Sequence, residues 1–220
     1  MKRKTLSILV LVLASMFALN VQAQEESSWS TGVDLYSTYV FRGIAFSGPS
    51  LQPYVDYTSG GFSIGAWGSQ GYDGFQEMDL YLSYGFDFGL SVGLTDYYYP
   101  GTEFFDTSTE TGAHAFEVNL GFETGALSLA GNYILNEAGG AASAGGDVYF
   151  EAGVAVGNVD LFLGAGDGWH TSDGEFNVCN VGIGTSKEIK ITDSFSIPVS
   201  GAAILNPDTE QFYIVVGISL

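Results

Sequence analysis

The chain ends, at residues 211–220, with QFYIVVGISL. Successive side chains of an extended strand point to opposite faces, so Phe212, Ile214, Val216, Ile218 and Leu220 form one row and Tyr213, Val215, Gly217 and Ser219 the other. The first row is wholly apolar. The second mixes small, polar and apolar groups, which is the signature of a strand exposed to two different environments.

Working back from this terminus, the same period of two predicts strands near 29–41, 50–58, 62–69, 77–86, 90–98, 114–123, 127–135, 148–156, 159–166, 176–186, 195–205 and 210–220. Each has a nameable apolar face, for example Leu80, Leu82, Tyr84 and Phe86, or Phe116, Val118, Leu120 and Phe122. Tight turns (Gly60-Gly61, Asp87-Phe88-Gly89, Thr124-Gly125-Ala126, Gly157-Asn158) alternate with long connections such as 41–49, 69–76, 99–113, 136–147 and 165–175. An even number of strands with alternating short and long connections is the pattern of an all-β, antiparallel up-and-down transmembrane β-barrel of about twelve strands, with both termini periplasmic and the long loops extracellular. A final strand closing on an apolar residue, here Leu220, fits the signal read by barrel-assembly machinery during biogenesis.

The opposite end supports export. Lys2, Arg3 and Lys4 precede an apolar run from Leu6 to Leu19 and the small-residue ending Val21-Gln22-Ala23, the three parts of a secretory signal peptide. Cleavage after Ala23 leaves residues 24–220 as a single barrel domain without a linker, destined for the cell outer membrane of a Gram-negative bacterium. No cysteine begins the mature chain, and Cys179 is the only one in the sequence, which excludes an intramolecular disulfide.

Only Arg42, Lys187 and Lys190 remain basic after cleavage, against 25 acidic residues, so the mature chain carries a formal charge of −22. This excludes nucleic acid as a partner. Strand parity puts Asp34, Asp56, Glu77, Asp79, Glu117, Glu123, Glu151 and Asp160 opposite the apolar rows. In a soluble sandwich or lipocalin-like barrel these would face a dry core, at a cost beyond a domain's net stability of roughly 5 to 15 kcal/mol. Turning the barrel inside out, with apolar rows toward outer-membrane lipids and carboxylates toward a wet lumen, removes the conflict. These eight acids, with Arg42, are the candidate lumen-lining selectivity residues. Rings of acid favour cations, while acids at the rims merely keep the strand ends in water.

Arg42 shares parity with Asp34 and is expected to point inward from the top of the first strand, either anchoring the 41–49 loop or placing a charge at a constriction. Tyr39, Phe41, Tyr98 and Tyr133 are expected to form an upper aromatic girdle, with Trp29, Tyr57, Phe62, Phe86 and Phe195 forming the lower one. Tyr36, Tyr54, Trp67, Tyr81, Tyr97 and Tyr149 face inward, as lumen filling or as a sugar-stacking surface. His170 and Ser172 have a base-and-nucleophile spacing but lie in a Gly- and Asp-rich loop, and the acidic loop clusters match no calcium-loop spacing. No catalytic residue, cofactor or metal is expected.

The stretch from Val33 to Ser69, VDLYSTYVFRGIAFSGPSLQPYVDYTSGGFSIGAWGS, resembles the Gcw_chp family, also described as TorF-family porins. The resemblance rests on YVFRG at 39–43, GP-x-LQ-x-x-VDY at 48–57 and G-x-WGS at 65–69. Weaker matches are YPG at 99–101, SKE at 186–188 and Ser200-Gly201-Ala202. It implies an outer-membrane barrel with a channel role, and brings no substrate and no catalytic residues. The expected function is passive diffusion of small cationic or neutral solutes through an acidic lumen. The alternative is a closed barrel acting as a surface scaffold or adhesion module.

Overall fold

The computed structural model describes residues 27–193 and 195–220. The signal peptide expected at 1–23 lies outside them. The strands are β1 (Ser28–Tyr36), β2 (Tyr39–Phe41), β3 (Ile44–Ser47), β4 (Ser50–Ser59), β5 (Phe62–Gly71), β6 (Gln76–Gly85), β7 (Leu90–Tyr98), β8 (His114–Thr124), β9 (Leu127–Ile134), β10 (Val148–Val156), β11 (Val159–Gly166), β12 (Asn177–Lys190), β13 (Ser196–Asn206) and β14 (Gln211–Ser219). Twelve of them, β1 and β4 to β14, form one closed antiparallel barrel, and β2 and β3 form a separate two-stranded sheet.

Closure is made by the terminal strand whose alternation was read first. Asp34 faces Ser219 and Tyr36 faces Gly217 across β1 and β14. Val33 and Leu220 exchange both backbone hydrogen bonds, at 3.1 and 3.0 Å. A closed ring leaves no strand edge with unpaired backbone groups, a requirement in hydrocarbon. The expected tight turns are present, with Gly60, Gly89, Gly125 and Gly157 all at positive φ.

The two faces separate as the alternation requires. Along β6, Met78, Leu80, Leu82 and Tyr84 are exposed while Glu77, Asp79, Tyr81 and Ser83 are buried. Leu120, Leu129, Phe150, Leu161, Leu163, Ile183, Ile214 and Val216 continue the exposed apolar surface round the wall. In water so large an apolar belt would be an aggregation surface; against lipid it is the surface that matches its solvent.

Two expectations are corrected. The first strand does not run to Phe41: it leaves the wall after Ser37, whose N–H and Oγ still engage Val216, and residues 39–47 fold inward as the β2–β3 hairpin. Strand β12 extends four residues past the expected end. Its last wall partner on β11 is Val159 opposite Thr185, whereas its pairing with β13 continues to Lys190 opposite Ser196. The two strands therefore project beyond the rim as a ledge carrying Lys187 and Lys190.

Candidate functional site

The inward hairpin builds the site. Phe41 pairs with Ile44, and the connecting residues Arg42 and Gly43 both have positive φ, 49° and 84°. That is the conformation of the two-residue loop whose twist suits a hairpin. Tyr39 and Phe41 pack against Trp67, Tyr81, Tyr97, Ala115 and Ile134. Val40, between them in sequence, packs against Phe162, Ala202, Ile204 and Val215. The hairpin thus has two apolar faces, each met by a different side of the barrel interior, and crosses the lumen as a bar.

Its tip is fixed by charge. Arg42 donates from Nη1 to Glu117 Oε1 at 2.6 Å and from Nη2 to Glu117 Oε2 at 2.9 Å, a fork-to-carboxylate contact with both side chains fully buried. The guanidinium carbon lies 4.6 Å from the Phe41 ring centre and 4.5 Å from that of Tyr149, within cation–π range. His170 Nε2 is 3.4 Å from Nη1 and accepts there, because a guanidinium can only donate. Burial, and then the neighbouring guanidinium, push His170 well below the usual imidazole range. For Arg42 burial is the largest single influence and opposes the charge, but Glu117, Tyr97 and Tyr149 together raise the guanidinium above its ordinary value.

The lumenal acids are satisfied largely by tyrosines. Glu77 accepts from Tyr39 at 2.8 Å and Tyr99 at 3.3 Å. Glu117 also accepts from Tyr97 at 2.9 Å and Asn119 at 2.6 Å. Glu151 accepts from Tyr149 at 2.5 Å and Asn180 at 2.9 Å. Asp56 accepts from Tyr81. Neutral donors therefore satisfy the inner acids where cations are scarce. Asp79 is different: it is fully buried and neither carboxylate oxygen has a partner.

All eight acids lie on the inner parity, but not in one environment. Glu77, Asp79, Glu117, Glu151 and Asp160 are buried, Asp34 and Asp56 are half-buried, and Glu123 is exposed one residue from the end of β8. The structure brings Arg42 to Glu117, 75 residues away. Arg42 points inward as expected, but from the hairpin tip and not from the first strand, and its carboxylate partner stands on β8. Tyr39 and Phe41 are not girdle residues: both are buried in the lumen, because the chain carrying them has left the wall. Trp67, Tyr81, Tyr97 and Tyr149 are buried inside as lumen filling. Tyr133, Trp29, Phe62 and Phe195 are exposed. Tyr98 is covered, its ring stacked on His114 and its hydroxyl bonded to the Thr102 carbonyl.

Sequence reasoning missed the hairpin and the part played by His170. A signal existed: YVF and IAF flank Arg42-Gly43, two short apolar runs around a Gly-containing pair. Ser172 makes no catalytic pair with His170; it is exposed and its N–H bonds Asp208. The long 99–113 loop meets the barrel on two sides: Tyr99 reaches Glu77 in the lumen, and the Phe104 end lies against the outer face. There His114 Nδ1 lies 2.9 Å from Asp96 and its Nε2 lies 2.5 Å from the Phe104 carbonyl.

Among solved structures, the barrel is similar to a triple mutant of the Rh. blastica porin, with 13% identity and a TM-score of 0.43 over 88% of this chain and 73% of that one. A refined porin structure aligns with 16% identity and a TM-score of 0.33, over 78% and 61% of the two chains. No curated protein matches the chain. Residues 21–197 match the family described as "Bacterial protein of unknown function (Gcw_chp)". The matched span includes YVFRG, whose Arg42 tips the lumenal hairpin, and stops before Ser200-Gly201-Ala202. The chain belongs to the Gcw_chp family.

Proposed function

We propose that this protein is a non-enzymatic outer-membrane channel of the porin kind for small neutral or cationic solutes, and that the β2–β3 hairpin holds its lumen shut in the state described. The observation that carries the reading is the acidic lining of the inner wall: eight carboxyl groups on the inner parity against one guanidinium, and that guanidinium on the hairpin and not on the wall. Unit charges about 4 Å apart interact by roughly 1 kcal/mol in bulk water and by several times that near low-dielectric walls, enough to bias permeation. The bias weakens with salt as the Debye length contracts from about 30 Å at 0.01 M to about 3 Å at 1 M.

The test is conductance in planar bilayers, comparing the wild type with a chain in which 38–47 are replaced by a short Gly-Ser linker. Opening by the deletion, with a cation-selective reversal potential that grows at low salt, is the expected result. An anion-selective potential overturns the electrostatic part. A silent bilayer for both proteins at verified insertion favours the second reading, a closed barrel serving as a surface scaffold or adhesion module. The observation on that side is the packing of Trp67, Tyr97, Ile134, Phe162 and the hairpin, which fills the interior with apolar contacts.

A further inference from the structure

The contacts around Arg42 describe a recognition site as much as a structural tie. Glu117 presents both oxygens in one plane to a fork of N–H donors, and the Tyr149 ring lies against the guanidinium. Planar two-point contact plus an aromatic face is the arrangement that separates a guanidinium from a compact ammonium. The wall half of this arrangement does not depend on the hairpin. Tyr97 and Asn119 hold the Glu117 carboxylate, and Glu151 and Asn180 hold the Tyr149 hydroxyl. A site whose side chains are already oriented loses little freedom on binding.

The occupant, by contrast, fits imperfectly. Arg42 Nε is buried with no acceptor, and its backbone sits at φ 49°, a left-handed conformation that side chains disfavour. We propose that Glu117, oriented by Tyr97 and Asn119, and Tyr149, held by Glu151 and Asn180, form a binding site on the lumen wall for guanidinium-bearing small solutes, filled in the shut barrel by the chain's own Arg42. The proposal rests on the channel reading and names the solute class that the site would favour. A free guanidinium compound takes the place of Arg42 without holding the strained turn, so solute binding and hairpin withdrawal are linked.

The test uses the full mature chain refolded in detergent, with Arg42→Ala to vacate the site and methylguanidinium as the probe. Saturable binding, seen as a rise in unfolding midpoint and by calorimetry, is expected for Arg42→Ala and at least tenfold weaker for the wild type. Methylammonium should bind at least tenfold more weakly than methylguanidinium, and Arg42→Ala/Glu117→Gln should lose binding altogether. If Arg42→Ala does not fold by itself, methylguanidinium in the refolding buffer should restore the folded barrel where methylammonium does not. Equal binding of both cations, or binding that survives Glu117→Gln, overturns the site, as does failure of methylguanidinium both to bind and to restore folding. The readout needs no current: binding to an electrically silent barrel supports the site and removes the channel reading, whereas a conducting barrel without binding does the opposite.

Discussion

Gly43 and Cys179 are in backbone contact across the lumen: a Cβ built on Gly43 would stand 2.0 Å from the Cys179 carbonyl oxygen. The Gly43 carbonyl in turn accepts from Asn206 Nδ2 at 3.1 Å. The hairpin tip is therefore pressed onto β12 and tied to the end of β13, and no other residue type fits at this position.

Gly43→Ala should push the tip off β12. The left-handed backbone alone costs an alanine about 1 kcal/mol, as it should at Gly125, where a Cβ meets open space. Gly43→Ala should cost clearly more than Gly125→Ala in denaturant unfolding and, if the hairpin is the barrier, raise conductance as well. Equal destabilisation by the two substitutions would argue against a close-packed tip.

Glu117→Gln and Asp79→Asn should act in opposite directions. The first strips Arg42 of its carboxylate and leaves a buried cation, at a cost of about 3 to 5 kcal/mol. The second exchanges a buried carboxyl that has no hydrogen-bond partner for a near-isosteric amide and should be neutral or slightly stabilising. Unfolding free energies of the two single variants decide it.

Acid should loosen the tip through His170. Its folded pKa is depressed, so below the ordinary value of about 6.5 the unfolded chain takes up a proton that the folded chain refuses. Stability from this group is complete above that pH and falls by about 1.4 kcal/mol per unit below it, until the folded pKa is reached. The groups facing the ring are the Arg42 guanidinium and the Tyr149 ring, at 5.0 Å. The difference in stability between pH 7.5 and 5.5 should shrink in His170→Asn, and an unchanged difference would exclude His170 as its source.

His114→Ala should free the 99–113 loop from the outer wall. Limited proteolysis of the detergent-solubilised barrel should then cut near Phe104 and Phe105 faster than in the wild type, with little change in global stability. Asp96→Asn should produce the same pattern more weakly, since the Phe104 carbonyl contact remains.

Much of this barrel was legible in the sequence because a period of two leaves no freedom about faces: QEMDLYLSYG at 76–85 assigns Glu77 and Asp79 inward wherever the strand lies. What parity cannot tell is whether a strand stays in the wall. Tyr39 and Phe41 continue the phase of Val33 and Leu35, so the sequence reads through the point where the chain turns inward. Nor does local patterning pair Arg42 with Glu117. That contact depends on which strand stands across the barrel, a property of closure and not of any segment. The extra length of β12 was hidden for a related reason: beyond Thr185 its only partner is β13, and no apolar belt marks the extension.

The donors around the inner acids are redundant in a particular way. The hairpin supplies Tyr39 to Glu77 and Arg42 to Glu117, yet Glu77 keeps Tyr99, and Glu117 keeps Tyr97 and Asn119, from outside the hairpin. Withdrawing the hairpin therefore leaves each carboxylate one oxygen that still has a wall or loop donor, Oε1 of Glu77 and Oε2 of Glu117. The insert is set like a drawer in a cabinet whose frame has joints of its own: the barrel closes through β1 and β14 without using the hairpin.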